Sequence, residues 1–160
     1  MKKTFKTLLV LCMIVSTAVT CEGRDSEDCH FGITIINSSD YAVYFRDLPD
    51  MAYRRYAPAA MIANARSSRV GPGESNRTIS RSCIEYNFTK GVAFYDGTFG
   101  LLDTLRFFIF DAEILEQELR YKVLKRYDLS LECLRQLNFR VSFPPGEEMR
   151  YIAQYPPFGQ

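Results

Sequence analysis

The stretch that most constrains this chain is the apolar run Leu105-Arg106-Phe107-Phe108-Ile109-Phe110, which Asp111 follows directly. Its apolar side chains occupy both faces of an extended segment, a pattern typical of a central strand that is covered on its two sides. Asp is also a residue type that caps a helix through its side-chain oxygen. We therefore expect a central strand over residues 104–110 and a helix immediately after it.

Apolar residues continue at three- to four-residue spacing after this cap, at Ile114, Leu115, Leu119, Val123 and Tyr127. This spacing predicts one amphipathic helix that reaches Tyr127. Beyond Asp128 or Ser130, the next apolar stripe predicts a second helix, and it consists of Leu131, Leu134 and Leu137. Alternation over Phe139–Phe143 then predicts the last clear strand, and Pro144 stops it.

The first half of the chain has shorter signals. Two alternating segments, 31–35 and 41–45, flank the turn residues Asn37–Asp40 and predict a β-hairpin. Residues 46–66 lose periodicity, which indicates a long loop with a helical turn near residues 59–65. Further strands are expected over residues 76–86 and 91–95.

These elements predict one α+β domain, and 160 residues suffice for a single core. We expect an antiparallel, sandwich-like β-sheet with two short helices between its strongest strand and its last strand.

The first twenty residues have the pattern of an export signal. They contain Lys2, Lys3 and Lys6, no acidic residue, and an apolar run from Leu8 to Val15 that is too short to span a membrane. Without these three lysines, the 20 basic residues fall to 17, against 19 acidic ones. No basic field remains to attract a phosphate backbone, so nucleic acid is not an expected partner.

The end of this signal allows two kinds of processing. Ser16-Thr17-Ala18 permits ordinary cleavage after Ala18, whereas Ala18-Val19-Thr20-Cys21 resembles a lipobox that would make Cys21 a lipidated N-terminus. Residues 1–20 are thus a predicted signal peptide, 21–30 an acidic tether, and 31–160 the domain. Lipidation predicts anchoring to the outer membrane, on either its surface or its periplasmic side. Cleavage after Ala18 predicts a secreted or soluble periplasmic protein.

Cysteine usage depends on the same choice. The chain has five cysteines, and Cys12 is lost with the signal. Three cysteines remain for pairing if Cys21 is lipidated, and four remain if it is not. An oxidising compartment permits disulfides, and Cys29 with Cys83 is the preferred pair because both flank predicted strands. Cys133 lies among leucines and is interpreted as a small buried apolar residue.

Segments in the second half resemble a known group of proteins. Phe108–Ala112, Val123–Glu132 and Leu137-Asn138, followed by a strand that ends at Pro144, are similar to the C-terminal signature of small uncharacterised lipoproteins of Bacteroides and relatives. The chain departs from that signature at Cys133, where an acidic residue is more usual, and at Phe139, where Trp is expected. The resemblance implies a location in the cell envelope, and it implies no activity or ligand.

Two sequence patterns resemble parts of a catalytic or metal-binding site. Asp96-Gly97-Thr98 resembles the turn of haloacid-dehalogenase phosphatases, but Phe94 stands where those enzymes have the nucleophilic Asp. Asp111 and Glu113 offer only two carboxylates, fewer ligands than a calcium ion takes, and helix capping explains Asp111.

The single histidine, His30, excludes a histidine-pair zinc site. It also lies next to Cys29 on an extended segment, where neighbouring side chains point apart and cannot form a Cys-His dyad. We therefore expect no catalytic residue, no metal and no cofactor.

The best candidate for binding is the loop segment Tyr53-Arg54-Arg55-Tyr56, because aromatic and cationic side chains together suit a protein or glycan partner. The sequence thus predicts a non-enzymatic cell-envelope lipoprotein that binds a partner protein or a glycan. One alternative is an immunity-type inhibitor of an envelope-acting toxin. Another is a hydrolase of unknown class that would use acids such as Asp96, Asp111 and Glu113.

Overall fold

A computed structural model of the protein describes residues 25–48, 57–63, 68–80, 82–93 and 99–159. In this part of the chain the strands are β1 (Thr34–Asn37), β2 (Val43–Leu48), β3 (Arg69–Val70), β4 (Ser75–Arg77), β5 (Val92–Ala93), β6 (Phe99–Gly100), β7 (Leu105–Asp111), β8 (Val123–Leu129), β9 (Arg140–Phe143) and β10 (Ala153–Tyr155). The helices are α1 (Pro58–Ala63), α2 (Ile84–Lys90), α3 (Ala112–Glu118), α4 (Leu131–Gln136) and a 3₁₀ turn at Glu147–Met149. The α+β prediction is confirmed.

The larger sheet is antiparallel, with strand order β10-β8-β7-β2-β3. β7 is its middle strand, as the apolar run predicts. Phe107 and Ile109 point into the main core, while Phe108 and Phe110 pack on the other face with residues of α1 and α3. Burial on two faces is the physical reason why this strand carries apolar residues without alternation.

The smaller sheet has the order β4-β1-β9 and adds one parallel pair to a mostly antiparallel fold. β1 and β9 run parallel, with Ile35 opposite Val141. Both side chains are fully buried and belong to the same core as Phe107 and Tyr127 of the larger sheet. The two sheets therefore enclose one core. A third pair, β5 and β6, is antiparallel and separate.

The predicted hairpin of residues 31–45 is wrong. β1 and β2 lie in different sheets, and the buried side chain of Asn37 directs the chain from one sheet to the other. Its amide nitrogen donates to the carbonyl oxygens of Tyr41, Val70 and Gly71 at 2.7, 3.2 and 3.1 Å. Turn chemistry is present as expected, but it joins two layers instead of two neighbouring strands.

The predicted helix from Asp111 to Tyr127 is wrong in its second half. α3 ends at Glu118, and Leu119 adopts a left-handed conformation with φ 50°. β8 follows, in which Lys125, Tyr127 and Leu129 are buried at every second position. Residues four apart share a face in a strand as well as in a helix. The spacing of Val123 and Tyr127 therefore did not distinguish the two structures.

The expected strand over residues 76–86 is also wrong beyond Arg77. The chain forms α2 instead, with Ile84 buried in the core and Phe88, one turn later, packed against it. Predictions nearer the C-terminus are confirmed. Ser130 caps α4 by accepting a hydrogen bond from the Cys133 backbone, and β9 follows.

Candidate functional site

The predicted binding residues Tyr53, Arg54, Arg55 and Tyr56 lie outside the described residues, as do Cys21 and Asp96. The predicted binding loop and the predicted lipidation site therefore stay predictions. Two polar regions elsewhere in the described chain bring functional side chains together. One lies at the start of the domain and the other at the C-terminal end of β7.

The first region consists of Cys29, His30, Cys83 and Glu85, which we call the thiol–carboxylate cluster. Cys29 and His30 precede β1, whereas Cys83 directly precedes α2 and Glu85 lies in its first turn. The two thiol sulfurs and a carboxylate oxygen of Glu85 all lie within 4.8 Å of one another. The structure thus brings together the two cysteines predicted to pair. Both are free thiols here, so the bridge stays a prediction.

Glu85 is the centre of this cluster, and its side chain is only 8% exposed. Its Oε2 accepts a hydrogen bond from the His30 backbone at 2.8 Å and one from the Cys83 thiol at 3.3 Å. Its Oε1 lies 2.6 Å from Nδ1 of His30. Burial would raise the pKa of Glu85, but the His30 hydrogen bonds outweigh it and hold the pKa below its usual value.

His30 is held from two further sides. Its ring stacks on Phe139 with centroids 3.7 Å apart, and its carbonyl oxygen accepts the Ile84 backbone N–H at 2.8 Å. Cys29 and His30 do not point to opposite sides, as neighbours in a strand would, because both side chains approach Glu85. The His30 ring nitrogen makes the direct contact with this carboxylate. Sequence reasoning missed that contact, since the two residues are 55 positions apart.

The end of the predicted tether is attached to the domain in the same region. Ser26 and Cys29 exchange two backbone hydrogen bonds, of 2.8 and 3.2 Å. Asp25 forms an ion pair with Arg77 and accepts the Phe31 backbone N–H at 2.9 Å. Residues from Asp25 onward are therefore fixed against the domain by local hydrogen bonds, although their charge pattern predicts a solvated spacer.

The second region is a groove of about 520 Å³ at the C-terminal end of β7. This volume falls in the range of small-molecule sites. The loop before β2 contributes Tyr41, and the charged side chains come from β3, the end of β7, α3 and the segment leading into β8. The residues that line it are Tyr41, Ala42, Arg69, Asp111, Ala112, Glu113, Glu116, Gln117, Lys122 and Leu124.

Two ion pairs frame the groove. Lys122 Nζ lies 2.9 Å from Asp111, whose other oxygen caps α3 by accepting the Ile114 backbone N–H at 3.2 Å. The capping role predicted for Asp111 is confirmed. Burial would raise the pKa of Asp111, but Lys122 and this cap outweigh it and hold the pKa below its usual value.

The second pair joins Arg69 to Glu116, with Nε and Oε1 2.8 Å apart. Tyr44 donates its hydroxyl to the same Glu116 oxygen at 3.0 Å. Arg69 holds the pKa of Glu116 below its usual value. Burial and the bond to Glu116 raise the pKa of Tyr44 to about 12, so this phenol stays protonated and keeps donating at neutral pH.

An apolar extension of about 390 Å³ continues the groove, since Tyr41 and Leu124 line both. It is walled by Phe143, Pro144 and Phe158. The Tyr41 ring contacts Phe143 edge to face at 6.1 Å, yet 44% of the residue is exposed. The combined surface presents an accessible aromatic ring between a charged half and an apolar half.

Comparisons of the chain with protein-family models, with curated proteins and with solved structures find no match. Among the described residues, no helix is both long and apolar enough to cross a membrane.

Proposed function

We propose that this protein is an exported, lipid-anchored protein of the cell envelope that binds a glycan in the groove beside Tyr41. The observation that carries the binding role is the groove itself, in which an exposed aromatic ring adjoins paired ionic groups. The export signal, Cys21 and the resemblance to small Bacteroides lipoproteins support the location.

The charge pattern favours a glycan over a strongly charged ligand. Both cations of the groove, Arg69 and Lys122, are paired with carboxylates at 2.8 and 2.9 Å. A charged ligand would have to displace one of these partners. Sugar hydroxyls both donate and accept hydrogen bonds, so they can bind to paired groups without separating the pairs. A Tyr ring offers a rigid surface for an apolar sugar face at low entropic cost.

The ionisation of the acidic residues in the groove also fits a binding role better than it fits hydrolysis. A glycosidase pair needs one carboxyl group that keeps its proton and one that is ionised. The local partners hold the pKa of Asp111 and that of Glu116 below their usual values, so both stay ionised at neutral pH. The alternative that uses Asp111 as a catalytic acid therefore lacks a proton donor at this position.

The binding role is tested by calorimetric titration with a panel of soluble neutral oligosaccharides. We expect saturable binding to at least one of them, and we expect Tyr41→Ala to weaken it about tenfold, as loss of an aromatic anchor does. Tyr151→Ala is the matched control, because Tyr151 is 92% exposed and does not line the groove. Absence of binding throughout the panel, or equal weakening by both variants, would contradict the proposal.

The location is tested separately by mass spectrometry of the mature N-terminus. Acyl chains on Cys21 are the expected result. A mature chain that begins at Val19 without acyl chains would exclude the lipid anchor and leave the binding role open to its own test.

A further inference from the structure

The geometry points to a disulfide between Cys29 and Cys83 that covalently fastens the end of the tether to the N-terminus of α2. This inference rests on the exported location in the proposed function, which supplies an oxidising compartment, and it is independent of the glycan. It goes beyond sequence pattern, because it follows from how the backbone holds the two thiols.

The Cys83 sulfur lies against the chain segment that carries Cys29. The Cys83 sulfur lies 3.9 Å from the carbonyl oxygen of Asp28, the residue just before Cys29. The Cys29 thiol makes its hydrogen bond to Cys83, and this bond, with burial, raises the pKa of Cys29 to about 11. The two sulfurs lie within 4.8 Å of each other, so a sulfur–sulfur bond of about 2 Å requires them to approach by less than about 3 Å.

The backbones on both sides of the pair are fixed by hydrogen bonds. Cys29 is held by its two backbone bonds to Ser26, and the next residue, His30, accepts the Ile84 N–H at 2.8 Å. His30 also donates its own N–H to Glu85 at 2.8 Å. His30 and Ile84, the residues that follow the two cysteines, therefore pair through their backbones. This pairing keeps Cys29 and Cys83 facing each other.

The chemistry is a two-electron oxidation. Each thiol loses its proton and one electron, a sulfur–sulfur bond forms, and the electrons reduce the disulfide of an exported thiol–disulfide exchange protein to two thiols.

A metal ion is the competing use of these sulfurs. A structural zinc site takes four ligands, while the cluster offers two sulfurs and one carboxylate within 4.8 Å. Both oxygens of that carboxylate already accept hydrogen bonds from His30. In the described part of the chain, no further His, Cys, Asp or Glu atom joins these three within 4.8 Å, so a fourth protein ligand is missing. The disulfide requires none of these groups to move away.

The test uses the purified full chain, reduced and then equilibrated in a buffer of reduced and oxidised glutathione. Free thiols are alkylated, and peptides are identified by mass spectrometry. We expect the Cys29 and Cys83 peptides to be joined, with a mass lower by two hydrogen atoms, and Cys133 to be alkylated. Cys133→Ser should leave this result unchanged, and Cys29→Ser should leave Cys83 open to alkylation.

Free Cys29 and Cys83 at equilibrium, or a bridge from either to Cys133, would overturn the inference. A parallel sample of the reduced chain receives zinc chloride alone. Zinc protection of both thiols from alkylation, with no bridge formed in glutathione, would overturn it in favour of a metal site. The assay uses purified protein and no sugar, so its failure is distinct from failure of lipidation or of glycan binding.

Discussion

The thiol–carboxylate cluster and the groove are both built from ionic and hydroxyl or thiol groups, but they differ in access to water. In the cluster, the side chains of His30 and Glu85 are 24% and 8% exposed. In the groove, those of Arg69 and Glu116 are 42% and 36% exposed. Buried polar groups are costly to separate, whereas exposed pairs contribute little to stability. The cluster therefore holds the fold, whereas the ionic groups of the groove are open to water and can contact a ligand without separating their pairs.

Breaking the proposed Cys29–Cys83 bridge should have the largest effect on stability. The bridge closes a loop of more than fifty residues, and opening it restores the conformational entropy of that loop to the unfolded chain. We expect reduction to lower the melting temperature by about 12 °C. Thermal unfolding with and without a phosphine reductant measures this. The Cys29→Ser variant, which has no bridge to lose, should respond no more than weakly, and an equal response of both chains would contradict the account.

Replacing Glu85 should have the next largest effect. Glu85→Ala removes the acceptor of the His30 backbone N–H and of the Cys83 thiol, and leaves these donors unpaired inside the domain. We expect a loss of about 3 kcal/mol in the free energy of unfolding. Urea unfolding of the reduced proteins separates this loss from that of the bridge. A loss below about 1 kcal/mol would show that the cluster is not a buried network.

Lowering the pH should reveal the contribution of the ionised Glu85 carboxylate to stability. The folded-state pKa of Glu85 lies below its usual value, so its ionised form stabilises the fold above the unfolded pKa, and that stability is lost as the pH falls through the folded pKa. Between about pH 6 and about pH 3, the wild type should therefore lose more stability than Glu85→Gln. Parallel slopes of the two proteins in urea titrations over this range would contradict the assignment.

Replacing Glu116 should have the smallest effect, which makes it the matched partner of the Glu85 variant. Glu116→Ala breaks the exposed pair with Arg69 and removes the acceptor of the Tyr44 hydroxyl. Because the buried Tyr44 phenol also loses this acceptor, we expect a loss of about 1–2 kcal/mol, smaller than that of Glu85→Ala. Urea unfolding beside Glu85→Ala gives the comparison directly. A loss as large as that of Glu85→Ala would remove the distinction between the two regions.

Sequence reasoning found the features that local chemistry determines. The continuous apolar run identifies β7, and the oxygens of Asp111 and Ser130 cap the helices that follow. It failed where one spacing fits two structures, as at Val123 and Tyr127, which lie in β8. The turn residues around Asn37 signal a change of direction, but the partner sheet depends on contacts with Val70 and Gly71.

The candidate sites divide in the same way. Cys29 and Cys83 could be selected from the sequence because cysteines are few and the chain has an export signal. The contact of His30 with Glu85, across 55 positions, gives no local pattern. The groove combines the loop before β2 with β3, α3 and the start of β8, so only the folded chain brings Tyr41, Arg69 and Lys122 to one surface.

Glycan binding in the groove is the central claim, and amide shift mapping tests it most directly. The ¹⁵N-labelled protein is titrated with the oligosaccharide that binds best in the calorimetric panel. We predict saturable shifts at the backbone amides of Tyr41, Ala42, Glu113 and Lys122, which line the groove, and none at Cys29 or Glu85. Shifts confined to residues outside the groove, or the same shifts in Tyr41→Ala at the same affinity, would contradict the claim.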